Sequence, residues 1–174
     1  RLSAATAGVW DEAFYPLATG RWTRSAPLVV GSLTKLLACP GLRAGYVLAD
    51  EVRRLRQPAW SVNGLVTAAL PDLLAAVDLP AWAAGVARLR GRLVDVLTGA
   101  GLDPEPSDAN YLLVRAPGLR DRLAAQGILV RDCASFGLGD HVRIAVPDDA
   151  GLARLAEALH GRGAGQEATP CAGR

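Results

Sequence analysis

The chain has 174 residues, 51% hydrophobic and 21% charged, and its 19 basic and 17 acidic side chains leave a net charge of +2. That length holds one domain, or one and a half small ones, with enough apolar material for a proper core. The interleaved charges form no basic stripe or patch, which argues against nucleic acid as a partner, and no apolar run reaches the roughly 18 residues of a membrane span.

Cys39, Cys133 and Cys171 are far apart and odd in number. They suit a reducing cytoplasm and give no zinc spacing, and His141 and His160 are too scattered for a metal site. The sequence contains no methionine and begins at Arg1. It therefore reads as a processed or truncated piece with its missing part N-terminal, a gene-boundary artefact being the equal alternative.

In chain order, residues 1–8 are small and helix-compatible. Val9 and Trp10 start an apolar strand that stops at Asp11-Glu12-Ala13-Phe14, as a buried parallel strand does when it presents a carboxylate at its carboxyl edge. The commoner role for such an Asp is a helix N-cap or a solvated turn. After a connection over residues 16–27, Leu28-Val29-Val30 forms a second strand ending at Gly31-Ser32-Leu33-Thr34-Lys35. Residues 36–42 make a loop or short turn, residues 44–48 a third strand, and residues 50–56 a short helix with Arg53, Arg54 and Arg56 on a solvated face.

Ser61 and Asn63 can open a helix to about Val77, and Pro80 sits in the first turn of a longer one reaching about Thr98. Trp82, Val86, Leu89, Leu93 and Val96 form its apolar stripe, with Arg88, Arg90 and Arg92 off that face. Strands follow at 111–114, 128–131 and 141–146, with a helix over 118–126. In the last strand Val142, Ile144 and Val146 share one face and Arg143 takes the other. Pro147-Asp148-Asp149 starts a final helix burying Leu152, Leu155 and Leu159, and a disordered tail is expected from Gly161. This order predicts an α/β chain: the end of a large domain with a parallel-rich sheet over residues 1–75, a small α+β domain over 76–161, and a tail over 162–174.

Lys35 is the one lysine beside 18 arginines. Arg keeps its proton in a protein, whereas a Lys amine can lose it when desolvated or set beside another cation, and a neutral amine attacks aldehydes. The ordinary reading is a surface lysine. Its neighbours favour chemistry. Two adjacent parallel strands would bring Asp11 and Lys35 to one rim, where open α/β sheets bind ligands. Ser32, Thr34 and Arg43 can hold a phosphate there, the lysine can hold an aldehyde, and Asp11 can keep a pyridine nitrogen protonated. That set of partners suits pyridoxal phosphate (PLP), whose ring is an electron sink only with such support.

Residues 31–46 resemble the cofactor-lysine signature of class I/II aminotransferases, S-x-T-K-x-x-x-x-P-G-L-R-x-G-Y, through Ser32, Thr34, Lys35, Pro40, Gly41, Leu42, Arg43, Gly45 and Tyr46. Asp11-Glu12-Ala13-Phe14 is similar to the element that supplies the family's pyridine partner, at a fitting distance. The resemblance implies PLP fold type I. It covers roughly residues 7–160, the C-terminal half of a family member, without the half that supplies a Gly-rich helix start, a ring-stacking residue and an Asn toward the ring hydroxyl.

Residues 57–63, 129–133 and 142–146 resemble the branch that holds histidinol-phosphate aminotransferases and threonine-phosphate decarboxylases. By that resemblance Arg143 binds a substrate carboxylate as a bidentate fork, and Arg131 is a second anion contact toward a substrate phosphate. The plainer alternative is strand-edge arginines paired with Asp132, Asp140 or Asp148. Phe14 stands where aminotransferases often carry a Tyr that hydrogen-bonds the ring hydroxyl, and Tyr15 would face the other way on an extended chain.

The implied function is a PLP-dependent lyase of the threonine-phosphate decarboxylase kind, which serves cobalamin synthesis. The alternatives are a histidinol-phosphate-type aminotransferase, and an inactive fragment or a subunit needing another chain. A phosphorylated amino acid is the implied substrate and a homodimer the implied full-length form. Half a sheet would leave an unpaired edge and exposed apolar surface, so the piece alone is expected to be poorly soluble or obligately associated.

Overall fold

The computed structural model describes residues 4–6, 8–23, 28–49 and 58–161. The first sheet has the order β1 (Ala4–Thr6), β2 (Val9–Asp11), β3 (Leu28–Ser32) and β4 (Gly45–Ala49). Among the described strands only β2 and β3 run parallel, with Trp10 opposite Val29 and Asp11 opposite Val30. β1–β2 and β3–β4 are antiparallel, so the parallel-rich sheet expected here is instead mixed. For the β1–β2 pair the cause is connection length. Thr6 pairs with Val9, so two residues join β1 to β2, with Gly8 at φ +80, and a parallel crossover needs a dozen or more. Residues 4–6, expected to suit a helix, are too few to nucleate one and pair as a strand.

Three helices flank this sheet. α1 (Tyr15–Thr19) ends at Gly20, whose φ of +68 favours glycine. A Cβ on Gly20 would also meet Pro80 Cα at 3.2 Å, so the missing side chain lets α1 lie against the start of α4 (Leu79–Gly99). α2 (Leu33–Leu36) continues directly from β3, and a 3-10 turn (Pro40–Leu42) leads into β4. α3 (Gly64–Ala75) is capped by Asn63, whose side chain accepts the Val66 N–H at 2.9 Å. Asp78 caps α4 in the same way through Ala81 N–H at 3.0 Å.

The second sheet has the order β5 (Tyr111–Arg115), β7 (His141–Ala145), β6 (Arg131–Asp132), all antiparallel. α5 (Leu119–Ala124) and α6 (Asp149–His160), the latter capped by Asp148, complete its core. The strand expected over 128–131 shrinks to Arg131–Asp132. Ile128 donates its N–H to the Leu123 carbonyl at 3.0 Å, closing the end of α5 and withholding that residue from β7. The helix expected over 50–56 and the tail beyond 161 lie outside the described residues.

The described residues form two apolar clusters, and α4 enters both. Leu33, Leu36, Leu42, Val66 and Leu79 form the first, with Trp82 packed against it. Leu93 and Leu97 enter the second with Leu112, Val114, Val142 and Ile144. Leu89 and Val96 pack at its edge, and Leu97, four residues after Leu93, joins the predicted stripe. The α4 arginines hold the outside. Arg88 and Arg92 pair with Asp149 of α6, and Arg90 donates to the carbonyls of Asp108 and Ala109 at 2.9 and 3.2 Å.

Between α2 and β4 the chain is tightly bent. Ala38 (φ +50) and Arg43 (φ +49) both lie in the left-handed region without being glycine, at a cost of order 1–3 kcal/mol each. In the ladder Gly31 faces Tyr46, and any Cβ at residue 31 would overlap the Tyr46 ring. That ring donates its hydroxyl to the Trp22 carbonyl at 3.2 Å. Burial, and then the carboxylate of fully buried Glu12, raise the Tyr46 phenol above its usual pKa.

Three measurements test this account. Leu97→Ala should lower stability by about 2–5 kcal/mol in urea unfolding, because its side chain is fully enclosed. Arg43→Val should cost about 1–3 kcal/mol while Arg43→Gly stays within about 1 kcal/mol of the parent, since only the β-branched residue worsens the left-handed strain. A phenol raised on folding contributes stability fully present below about pH 10 and lost as pH climbs through the folded value. Tyr46→Phe should therefore remove part of the alkaline loss seen in a pH series of unfolding curves.

Candidate functional site

β2 and β3 end side by side because they are parallel and in register from Trp10 to Asp11. β3 passes at once into α2, which carries Lys35 one turn beyond the strand end, on the rim that holds Asp11. Asp11 Oδ1 accepts the Ala13 N–H at 3.0 Å, an aspartate turn that fixes the carboxylate and leaves Oδ2 for another donor. Ser32 precedes α2 without a cap hydrogen bond from its side chain, so its hydroxyl is available. Thr34 differs. Its hydroxyl and its N–H both go to the Ala44 carbonyl, at 3.2 and 3.1 Å, so it braces α2 against the start of β4. Arg43 donates one Nη1 proton to the Pro40 carbonyl at 3.0 Å and keeps the rest of its exposed guanidinium for an anion.

Lys35 is exposed, with Nζ 5.4 Å from the centroid of the Phe14 ring. Phe14 is the residue before α1, and Tyr15 opens that helix rather than extending β2.

Arg131 and Arg143 come together on the second sheet. They sit directly opposite each other on β6 and β7, on the face away from buried Val142 and Ile144. Directly opposed like charges repel, and the nearby acids are engaged elsewhere. Asp132 pairs with Arg120 at 3.5 Å and accepts the Ala134 N–H. Asp140 binds Arg115 Nε at 2.5 Å and His141 Nδ1 at 2.6 Å, and the Arg115 hydrogen bond holds its carboxyl below the usual range. Asp148 caps α6 through the Gly151 N–H at 2.8 Å. Among the described residues neither Arg131 nor Arg143 makes an ion pair, so the strand-edge pairing considered from sequence does not occur there. Each lies over a ring instead. Arg143 Cζ is 4.9 Å from the Tyr111 centroid and Arg131 Cζ 5.7 Å from that of Phe136, with Arg131 also donating to Ser135 Oγ at 3.3 Å.

One contact joins the two groups. Phe14 and Tyr111 meet edge to face, centroids 5.5 Å apart and planes at 80°. Tyr111 has no sequence signal beyond opening a strand. Its place follows from register: Leu113 pairs with Arg143, so Tyr111 is the diagonal neighbour of Arg143 on the same face.

The first rim thus offers an amine, a carboxylate, a hydroxyl and a guanidinium, and the second sheet two guanidiniums without acidic partners. The set can take an aldehyde on the amine and bind anions at both ends.

Comparison with known proteins agrees with this chemistry. The family of class I and II aminotransferases matches residues 7–159. Histidinol-phosphate aminotransferase 1 of Dechloromonas aromatica is 32% identical over 155 residues, covering 81% of this chain and 42% of that protein. Threonine-phosphate decarboxylase of Salmonella typhimurium is 38% identical over 148 residues, covering 75% and 40%. The crystal structure of histidinol-phosphate aminotransferase from Sinorhizobium meliloti, in complex with pyridoxal 5'-phosphate, superposes with a TM-score of 0.72 at 25% identity, covering 87% of this chain and 47% of that one. The chain spans somewhat less than half the length of these relatives. By the extent of the family match, the chain belongs to the class I and II aminotransferases.

Proposed function

We propose that this chain carries the cofactor lysine and the substrate-anion arginines of a PLP-dependent enzyme. The carrying observation is the lone Lys35 amine on one rim with Asp11 and Ser32, joined through two rings to an Arg143 that has no acidic partner among the described residues. The donor set fits the group. Lys35 would hold the aldehyde, Asp11 Oδ2 the pyridine nitrogen, and Ser32 and Arg43 the phosphate, with Thr34 bracing their loop. When bound, pyridoxal phosphate supplies an electron sink for the bond broken at the substrate α-carbon.

The remaining steps belong to the chain. Arg143 binds the substrate carboxylate as a fork, and Arg131, opposite it, takes a second anionic group such as a phosphate. Lys35 would return a proton to the substrate carbon as general acid. The favoured reaction is decarboxylation of a phosphorylated amino acid, as in the named Salmonella relative. Phe14 supports it, because no hydroxyl from that position reaches a ring substituent. Amino transfer from histidinol phosphate or a similar substrate is the second reading, supported by the Dechloromonas and Sinorhizobium relatives. Full activity could also require a second polypeptide, in keeping with the fraction of its relatives that this chain spans. We place the full-length form as a homodimer in a reducing cytoplasm, where Cys39 and Cys133 remain free thiols.

Mixing the 174-residue chain with pyridoxal phosphate should give a visible absorption band that Lys35→Ala abolishes. A parent chain with no band would leave the readings of an inactive fragment or of a subunit whose site another polypeptide completes. Supplied with L-threonine phosphate, a decarboxylase releases CO₂, whereas an aminotransferase passes the amino group to a 2-oxo acid. Arg143→Ala should lower kcat/KM on the order of 10–100-fold, the loss expected when a charged hydrogen-bond partner is removed.

A further inference from the structure

Lys35 stands on α2 beside the first sheet and Arg143 on β7 of the second, yet their positions are linked through a line of side chains. Lys35 Nζ lies 5.4 Å from the Phe14 centroid, Phe14 meets Tyr111 edge to face at 5.5 Å, and Arg143 Cζ lies 4.9 Å from the Tyr111 centroid. A long guanidinium side chain with rotamer freedom needs something to hold it. Arg143 faces Arg131 across the ladder, which would push it away, while Asp132, Asp140 and Asp148 are committed to Arg120, to Arg115 and to the α6 cap. The Tyr111 face gives it a resting place that leaves its N–H fork open at the edge.

We propose that Tyr111 is a positioning residue. It orients Arg143 toward a carboxylate and, through Phe14, sets the spacing between Arg143 and Lys35. The inference rests on the reading of Arg143 as the carboxylate site. The ring face does the holding, so the Tyr111 hydroxyl is dispensable. Phe14 then has a role that needs no hydroxyl: it braces Tyr111 from the start of α1.

The test uses the full 174-residue chain and propionate, a carboxylate with neither amine nor phosphate, so that no cofactor is required. The readout is the Arg143 Nε–Hε signal in two-dimensional NMR, assigned with Arg143→Lys. In the parent the signal is displaced by the Tyr111 ring current and moves further as propionate is added. Tyr111→Phe should keep both effects. Tyr111→Leu should lose the ring-current displacement and weaken propionate binding about fivefold, the size of a partly exposed cation–ring contact. Phe14→Leu, at the start of α1, should weaken it about twofold, and the double variant no more than Tyr111→Leu alone, as expected for a shared linkage.

Propionate binding at parental strength in both Tyr111→Leu and Phe14→Leu would overturn the proposal while leaving Arg143 as the carboxylate site. So would a Tyr111→Phe variant as weak as Tyr111→Leu, which would assign the effect to the hydroxyl. A parent chain whose Arg143 signal ignores propionate overturns the carboxylate reading, and the proposal falls with it. Should Tyr111→Leu fail to fold by circular dichroism, Tyr111→Phe and Phe14→Leu decide the matter: parental affinity in the first and loss in the second support it, and any other pairing overturns it.

Discussion

The structure depends on one helix having two cores. α4 is about 30 Å long at 1.5 Å per residue. Its first turn buries Leu79 among the residues around α2 and α3, and its last turns bury Leu93 and Leu97 beneath the second sheet. A rod packed at both ends fixes the separation of what it joins. α1 lies against α4, helped by the absence of a side chain on Gly20, and Phe14 immediately precedes α1. The ring that reaches Tyr111 is therefore placed by packing on α4, and so is the spacing between the lysine rim and the arginine face.

Charge is sorted by task in this fold. Asp78 and Asp148 cap helices, Asp149 binds the α4 arginines, Asp132 takes Arg120, and Asp140 takes Arg115 and His141. Among the described residues Lys35, Arg131 and Arg143 make no ion pair, and each lies by an aromatic ring. Surface ion pairs contribute little to stability, so the acids' pairings matter less for the energy they add than for the cations they leave unclaimed.

What could be read in advance was local. A short apolar strand ending in an acid, another ending in a hydroxyl-rich turn with the lone lysine, the Asn63 cap and the α4 stripe all follow from residues within a few positions of one another. Alternation along β7 also placed Arg143 opposite Val142 and Ile144. What escaped was set by pairing at a distance. The direction of β1 hangs on a two-residue connection, and Ile128 is diverted by the end of α5. Thr34 looks like a phosphate ligand in a motif, but its hydroxyl proton is taken by the Ala44 carbonyl ten residues on. Tyr111 gains meaning only once β5 is in register with β7. No property of these residues in isolation carries that information.

A cation resting on a ring differs from one resting on a carboxylate in what an incoming anion must displace. Among the described residues no internal counter-charge stands in the way at Arg143, so a carboxylate exchanges places with a neutral surface and no acid is left stranded by its arrival. The charge that faces Arg143 across the ladder is the like charge of Arg131, so salt screens a repulsion within the waiting geometry but an attraction in the approach of the ligand. Salt would slow the encounter without loosening the receptor, separating the two halves of recognition that a salt-bridged arginine would bind together.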